Sequence, residues 1–405
     1  MSENTTTQAE GRRNPFGSMN LRESGLVIAL VGIVALFQVL TSGRLMVPDN
    51  IASLIQQNAY VMILAIGMML VIVAGHIDLS VGSIVAMVGG VVGIAIINWG
   101  LPWPVAILLA LAVGMLVGAW QGFWVAYMGI PAFIVTLGGM LIFRGFAQLL
   151  VGQTISGFPK DFITIGNGAL PNVLGFTNTP SIGYIDGVTL LIGLVATAAF
   201  IWSSLRQRAA VRRNGQVVSA PGLFWARTVA IALVMLGVTY LLGLSTGGFP
   251  IVLVIVGVLV VAFSYMLKNT RFGRNIYALG GNARAAELSG VNVKKDVFWV
   301  FVLMGVLSAL AGVVVTSRAG AAVAAAGTSY ELDAIAACFI GGAAVTGGVG
   351  KISGAMLGAL VMGVLNIGLS IMAVDPAWQM AIKGFVLLAA VAFDLVNKRK
   401  AGSTV

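Results

Sequence analysis

Long apolar segments separated by short polar ones run through almost the whole of this 405-residue chain. A helix of about 20 apolar residues crosses ~30 Å of hydrocarbon, and most of the segments are close to that length. Charged residues make up only 9% of the sequence, too little charge to cover the surface of a soluble protein of this size. The sequence therefore predicts an all-α, polytopic transmembrane bundle of about 10 to 12 spans. The candidate spans lie near residues 26–41, 51–74, 80–98, 103–127, 131–152, 188–205, 228–244, 249–267, 297–316, 333–349, 354–373 and 377–396.

The same pattern divides the chain into one membrane domain with a polar segment at each end. Residues 1–22 lack the apolar core of a signal peptide, and we expect a disordered cytoplasmic tail there. The transmembrane domain is predicted over residues 23–396, followed by a cytoplasmic tail at 397–405. The glycine-rich run at 80–98 is either a full span or a broken, re-entrant segment. The longest polar connections are 153–187, 206–227 and 268–296.

The basic residues orient the predicted bundle. With the N-terminus in the cytoplasm, 18 of the 23 Lys and Arg residues fall in cytoplasmic segments, and only Arg44, Lys160 and Arg318 fall outside. Membrane proteins carry such an excess in their cytoplasmic loops. We therefore expect both termini and the loops 206–227 and 268–296 to be cytoplasmic. The net charge of +10 is then explained by the excess of basic residues in cytoplasmic segments, and it gives some attraction to the lipid bilayer. No nucleic acid partner is expected.

The loop 268–296 has the clearest local structure outside the apolar segments. Two turns of helix are marginal alone in water, so a helix this short persists only against a surface. Docking on a partner protein and lying on the membrane are both open on these grounds. The signals are a turn at Gly280 and Gly281, an N-cap at Asn282, helix formers over 283–288, and a stop at Ser289 and Gly290.

Ionisable residues inside the predicted spans form a second group of candidates, because they are costly there unless they face a cavity or a partner. Asp78 and Ser80 lie between two apolar segments. Either Ser80 and Ser83 cap the helix that begins near residue 80, with Asp78 at its positive end, or these groups line a permeation path. Arg144 lies deep in the fifth segment and needs an anionic or carbonyl partner, for which Asp78 and Asp333 are the candidates.

Several other features point away from catalysis. His76 is the only histidine and Cys338 the only cysteine, so neither a metal site nor an internal disulfide is expected. Lys383 lies near the end of its span and is expected to extend outward to the membrane surface. The run Gly-Gly-Val-Gly-Lys at 347–351 lacks the remaining residues of a phosphate-binding loop, since position 352 is isoleucine. The chain is therefore not expected to hydrolyse ATP, to carry catalytic residues or to hold a cofactor.

Four sets of residues, which follow one another along the chain in the family's order, resemble the permeases of bacterial ABC transporters of the branched-chain amino acid and monosaccharide family. The resemblance covers almost the whole chain and is closest to the xylose and multiple-monosaccharide subgroup. The additional segment 206–250 fits the longer members of that subgroup. His76 differs from the residue expected in xylose permeases and suggests the multiple-monosaccharide branch. The matching segments are 77–83, 131–145, 271–290 and 331–350.

This resemblance implies a subunit that imports monosaccharides of the xylose, arabinose, galactose or glucose type across the bacterial inner membrane. The implied partners are a second copy of the permease, a periplasmic sugar-binding protein, and either two ATP-binding subunits or one fused ATPase, which would hold the ATP and Mg. The alternatives are a branched-chain amino acid permease of the same superfamily and an ion-coupled secondary sugar transporter. The outer loop 153–187 either docks the binding protein or is a plain connector.

The family's coupling helix, which docks on the ATPase, would carry over to Gly280, Gly281, Asn282, Ala285, Ala286, Glu287, Ser289 and Gly290. The candidates for polar residues of the path, or for structural polar contacts, are His76, Asp78, Ser80, Thr136, Arg144 and Asp333.

Overall fold

A computed structural model describes residues 21–174, 176–179, 183–215 and 220–400, so most of the predicted tails 1–22 and 397–405 lies outside the described residues. Within them are fourteen α-helices. These are α1 (Leu21–Leu40), α2 (Pro48–Val73), α3 (Val81–Gly93), α4 (Trp103–Ala126), α5 (Ala132–Val151), α6 (Lys160–Asn167), α7 (Gly187–Arg213), α8 (Pro221–Leu244), α9 (Ile251–Asn269), α10 (Arg271–Leu288), α11 (Val293–Ala319), α12 (Tyr330–Ile340), α13 (Ile352–Ile371) and α14 (Pro376–Lys400).

Strands are confined to two short antiparallel pairs in the described part of the chain. One joins β1 (Ile155–Ser156) to β4 (Ala321–Ala322), and the other joins β2 (Phe176–Thr179) to β3 (Gly183–Asp186). Both pairs belong to connections between helices and not to a sheet core.

Nine of the described helices are long and apolar enough to cross a membrane, with α3 extended by one π-helical turn to Asn98. The helices α1 and α14 add shorter apolar stretches, Gly25–Leu40 and Pro376–Ala392. The eleven-residue α12 follows a non-helical segment. Together these twelve elements correspond one to one with the twelve predicted segments, which confirms the all-α, polytopic fold.

Two ends of the bundle can be distinguished by their contacts. At the end that carries α10, called the basic end here, the Gly348 amide donates a hydrogen bond to the Val73 carbonyl oxygen at the end of α2 (2.9 Å). At the opposite end, the Ser317 hydroxyl near the end of α11 donates to the carbonyl oxygen of Phe162 in α6 (2.5 Å). Asp186 caps α7 at this same end, where Gly248 packs against its carboxylate.

The core is built around α2 and α11, which are buried along most of their length. Glycines allow the neighbouring helices to approach closely, as is common where helices pack in lipid. On α4, Gly114 and Gly118 lie against the backbone of α11 at Gly305 and Phe301, where an added Cβ would overlap carbonyl oxygens. The exposed helices α7, α8 and α9 cover one side of this core.

Two non-helical segments enter the bundle from opposite ends. Segment 74–80 runs inward from the basic end to the start of α3, and segment 320–329 runs inward from the opposite end to the start of α12. Segment 320–329 meets the first turn of α3 where Gly82 and Gly327 cross so closely that a Cβ on either would overlap the carbonyl oxygen of the other. The run 80–98 forms one helical span over Val81–Asn98, so the full-span alternative is confirmed, and the non-helical backbone precedes it.

Candidate functional site

The helix α10 consists of two arms joined at Asn282, whose backbone is non-helical (φ −160°, ψ 98°). The Asn282 side-chain oxygen accepts a hydrogen bond from the Ala285 amide (2.9 Å), as an N-cap residue does. The second arm ends at Ser289, and Gly290 has a positive φ of 87°, which favours glycine at a helix terminus. The predicted cap, helix and stop are therefore confirmed.

The predicted turn at Gly280 and Gly281 is wrong. Both residues belong to the first arm, and the chain bends one residue later, at Asn282. Close packing requires a glycine at position 280, because an added Cβ would overlap the Val73 carbonyl oxygen and the Gly348 amide nitrogen. A Cβ at Gly281 would meet no heavy atom of the described residues within 4 Å.

Side chains of the first arm hold it to the membrane domain. The Tyr277 hydroxyl donates to the Gly350 carbonyl oxygen (2.7 Å), and the Asn275 amide donates to the Asp296 carboxylate (2.8 Å). Burial raises the pKa of Tyr277 from its usual value, so the hydroxyl stays protonated and remains a donor. The first arm is thus fixed at two points in addition to its glycine contact.

The second arm projects away from the bundle. Of the predicted coupling residues, Ala286 is buried, with 5% of its surface exposed, and Gly280 is half-buried, whereas Gly281, Asn282, Ala285, Glu287, Ser289 and Gly290 are exposed. Sequence reasoning missed Leu288, whose side chain is 85% exposed at the tip of the arm. A leucine at the end of a helix-forming run is usually interpreted as a buried residue, so the sequence alone does not indicate the exposure of Leu288.

Four glycines bring the first arm of α10 into contact with segment 74–80 and with the connection that follows α12. A Cβ at Gly347 would lie 3.0 Å from the Gly75 Cα and 3.1 Å from the Gly280 Cα, and one at Gly348 would lie 2.9 Å from the Gly281 nitrogen. We call Gly75, Gly280, Gly347 and Gly348 the glycine junction. Gly75 is the second residue of segment 74–80, and Gly347 and Gly348 belong to the connection after α12, so α10 contacts both through backbone atoms.

The first polar cluster lies where segment 74–80 reaches α3. The Asp78 carboxylate accepts hydrogen bonds from the Ser80 amide (2.8 Å) and hydroxyl (2.6 Å), and Gln121 of α4 donates to the Ser80 hydroxyl (2.6 Å). The predicted capping of α3 by Ser80 and Ser83 is wrong, because neither hydroxyl caps the helix. The Ser80 hydroxyl instead donates to the Asp78 carboxylate, and this bond closes a turn in segment 74–80 just before α3 begins.

Thr136 and His76 lie beside this cluster. Thr136 of α5 is buried, with its hydroxyl 3.5 Å from the Ile77 carbonyl oxygen. The His76 ring lies 6.0 Å from the Phe301 ring and lines a cleft of about 370 Å³ at the basic end, together with Gly280 and Lys294. Four of the six predicted polar residues are thus brought to the basic half of the bundle.

The other two, Arg144 and Asp333, lie farther in and do not contact each other. Arg144 donates to the carbonyl oxygens of Ala324 (2.8 Å) and Ala326 (2.6 Å) in segment 320–329. Neither Asp78 nor Asp333 is its hydrogen-bond partner, so those predicted partners are wrong and the carbonyl alternative is correct. Sequence could not show this, because the depth reached by segment 320–329 is not encoded in a local pattern.

Asp333 is bound from two helices. Its carboxylate accepts a hydrogen bond from the Tyr60 hydroxyl of α2 (2.6 Å) and forms an ion pair with the Lys383 amine of α14 (3.1 Å). The Tyr60 ring stacks on Tyr330 with 3.6 Å between centroids. The predicted outward extension of Lys383 is wrong. Its side chain is 18% exposed and points to the Asp333 carboxylate of α12.

Replacing Gly82 with alanine is expected to destabilise the protein by about 1–3 kcal/mol, because the added methyl group would overlap the Gly327 carbonyl oxygen. The matched control is Gly138→Ala in α5, where an added Cβ meets no heavy atom of the described residues within 4 Å. Thermal unfolding of the purified variants in detergent measures the difference. Equal melting temperatures for the two variants would contradict the close crossing of α3 and segment 320–329.

Comparison with known proteins agrees with this architecture. The family model described as the permease component of branched-chain amino acid transport systems matches residues 50–391. Similar proteins include the xylose transport system permease protein XylH of Haemophilus influenzae, 40% identical over 95% of this chain and 98% of that protein. XylH of Escherichia coli K12 is 39% identical, over 95% of this chain and 94% of that protein.

A ribose permease is also similar. The ribose import permease protein RbsC of Escherichia coli K12 is 34% identical over 98% of this chain and 100% of that protein. No solved structure matches the chain. From the near end-to-end similarity and the membrane-crossing helices, the chain belongs to the family of branched-chain amino acid transport system permease components.

Proposed function

We propose that the chain is the membrane-spanning permease subunit of an ATP-binding-cassette importer for monosaccharides of the xylose, arabinose, galactose or glucose type in the bacterial inner membrane. The observation that carries the proposal is the exposed second arm of α10 on a first arm fixed to the bundle. The relatives named as xylose and ribose permeases favour a monosaccharide over a branched-chain amino acid.

The energy for transport comes from a partner in this proposal. The partner ATPase, as two subunits or one fused protein, holds the ATP and Mg and binds the second arm of α10 at a cytoplasmic basic end. The small residues Ala283 and Ala285 allow close approach, and Leu288 supplies apolar contact. An exposed leucine beside small residues is suited to a complementary groove, because burying its side chain is worth about 1.5–3 kcal/mol.

The remaining partners are a second copy of the permease and a periplasmic sugar-binding protein. The outer loop 153–187 is the proposed docking surface for the binding protein. Its described parts are held to the bundle: Ile155 pairs with Ala322 in a short strand pair, and α6 bonds to Ser317. A loop anchored in this way can present a fixed surface and can transmit binding to segment 320–329.

The substitution Leu288→Asp is expected to reduce the ATPase that co-purifies with the chain by about tenfold or more, because burying a leucine side chain is worth about 1.5–3 kcal/mol and 1.4 kcal/mol is a factor of ten. The adjacent change Ser289→Trp should have the same effect by steric exclusion. Sugar uptake by cells that express the variants should fall in parallel.

The matched control is Leu223→Asp, at an exposed leucine near the start of α8, outside the proposed docking arm. Western blotting of membranes checks that all variants insert equally. Full recovery of the ATPase with Leu288→Asp and Ser289→Trp would refute the docking role of α10.

A further inference from the structure

Four charged residues lie near the middle of the bundle's depth. Asp333 bonds to Tyr60, the thirteenth of 26 residues in α2, which places both roughly 20 Å from either helix end. Glu331 precedes Asp333 by two residues, and Lys383 pairs with Asp333. Arg144 is the thirteenth of 20 residues in α5. All four therefore lie between the two ends of the bundle and not at either end.

Three of these residues, Arg144, Glu331 and Lys383, belong to one continuous face, and Asp333 is buried behind it. Arg144 joins α5 to segment 320–329 through its bonds to the carbonyl oxygens of Ala324 and Ala326. On the other side of that segment, the Ser329 hydroxyl lies 3.8 Å from the Met380 sulfur of α14. We call the surface formed by α5, segment 320–329, the first turn of α12 and the first half of α14 the charged face.

The charged face is open in the single chain. Val323, Leu332 and Met380 are 38%, 41% and 55% exposed on it. The side chains of Arg144, Glu331 and Lys383 are half-buried among them. Polar contacts within the chain therefore do not remove these charges from the surface.

Half-buried charges at this depth do not face lipid, because a charged group is costly in hydrocarbon and almost always faces a bundle interior or water. The lipid-compatible surface of the bundle is different. Leu233, Val258 and Val261 in α8 and α9 are 63%, 63% and 71% exposed at comparable positions along their helices. The charged face thus requires an aqueous neighbour or a second protein surface.

We infer that the charged face lines a water-filled path and that Arg144, Tyr330, Glu331 and Lys383 form a polar site along it for a monosaccharide. The inference rests on the proposed function and deepens it. Arg144, Lys383 and the Tyr330 hydroxyl offer donors to sugar hydroxyls, and the Glu331 carboxylate offers an acceptor. A second copy of the chain supplies the facing wall.

Cysteine accessibility tests the path. The native chain has one cysteine, Cys338, which is fully buried, so the parent protein is a suitable blank. Leu332→Cys places a thiol on the charged face, and Val261→Cys places one on the apolar face, eleventh of 19 residues in α9. Both variants, as full chains in sonicated membranes of expressing cells, are treated with a membrane-impermeant maleimide.

Thiolate is the reactive form and requires water, so Leu332→Cys is expected to react roughly tenfold faster than Val261→Cys or more. Thr328→Cys, on the same face, serves as a second site if Leu332→Cys is not recovered in the membrane. Labelling of both faces, or of neither, would overturn the inference. Labelling of neither is the outcome expected if a second copy packs dry against the charged face.

Uptake separates this inference from the proposed function. In intact cells importing D-xylose, D-galactose or D-ribose, a small impermeant thiol reagent should reduce uptake by Leu332→Cys at least about tenfold and leave Val261→Cys and the parent unchanged. A labelled Leu332→Cys that transports normally would overturn the path. A parent chain that imports none of these sugars would instead refute the proposed function.

Discussion

Replacing Gly280 with alanine is expected to reduce sugar uptake by about tenfold or more, whereas the same change at the adjacent Gly281 leaves uptake near the parent level. Overpacking by one methyl group typically costs 1–3 kcal/mol, and 1.4 kcal/mol is a factor of ten. At Gly280 the methyl group would overlap the backbone of Val73 and Gly348, which cannot move aside as a flexible side chain can. At Gly281 it enters open space.

The expected loss has a mechanical reason. The glycine junction is the place where α10 touches the segment leading to Asp78 and the connection that follows α12. A methyl group there would force α10 away from both, so that movement of the docked arm would no longer reach them. ATP hydrolysis by the assembled complex should persist in Gly280→Ala while uptake is lost, which distinguishes failed transmission from failed docking.

Both variants are checked by uptake in cells and by ATPase activity of the purified complex. Gly281→Ala controls for the loss of helix flexibility that any Gly→Ala change brings, since both residues lie in the same arm. Equal uptake by the two variants would contradict the role of the junction, whatever their absolute level.

The second large effect is expected at the Asp333–Lys383 pair. Removing one partner of a buried ion pair typically costs about 3–5 kcal/mol, because the other charge is left unpaired away from water. Lys383→Met leaves Asp333 with only the Tyr60 hydroxyl as a partner, and Asp333→Asn leaves the Lys383 amine without its anion. Lys383→Met should therefore be strongly destabilised, because the Asp333 side chain is 1% exposed, and Asp333→Asn less so, because the 18% exposed Lys383 side chain reaches the open charged face.

The double variant Asp333→Asn/Lys383→Met should recover most of the lost stability, since no charge is then left unpaired. Thermal unfolding in detergent of the parent, both single variants and the double variant measures the coupling. Lys295→Met, at an exposed lysine of the basic end, is the control and should change stability by less than about 0.5 kcal/mol. Additive losses in the double variant would show that the two side chains are not coupled.

The local structure of the candidate site was largely predictable from sequence, because its signals are short-range. The N-cap at Asn282 and the stop at Gly290 depend on residues within one or two helical turns, and both are confirmed. The apolar segments likewise correspond to single helices, since length and hydrophobicity decide whether a helix can span a membrane.

The long-range contacts were not predictable in the same way. Glycine is typical of turns, but Gly280 lies in a helix, where the absence of a side chain permits close contact with the backbone of Val73, more than 200 residues earlier. Lys383 was expected at the membrane surface because its distance from the helix end allows it, yet Asp333 offers an ion pair inside. Arg144 donates to carbonyl oxygens because segment 320–329 reaches the depth of Arg144 with carbonyl groups that are not used in helical hydrogen bonds. Each outcome depends on which elements pack together.

The most direct test of a permease driven by a partner ATPase is the energy source for uptake. Cells expressing the chain with its co-purifying ATPase and binding protein are supplied with labelled monosaccharide after either ATP depletion or treatment with a protonophore under conditions that maintain ATP. ATP depletion is expected to abolish uptake, and the protonophore to leave most of it. Uptake that survives ATP depletion and is abolished by the protonophore would contradict this account and indicate an ion-coupled transporter.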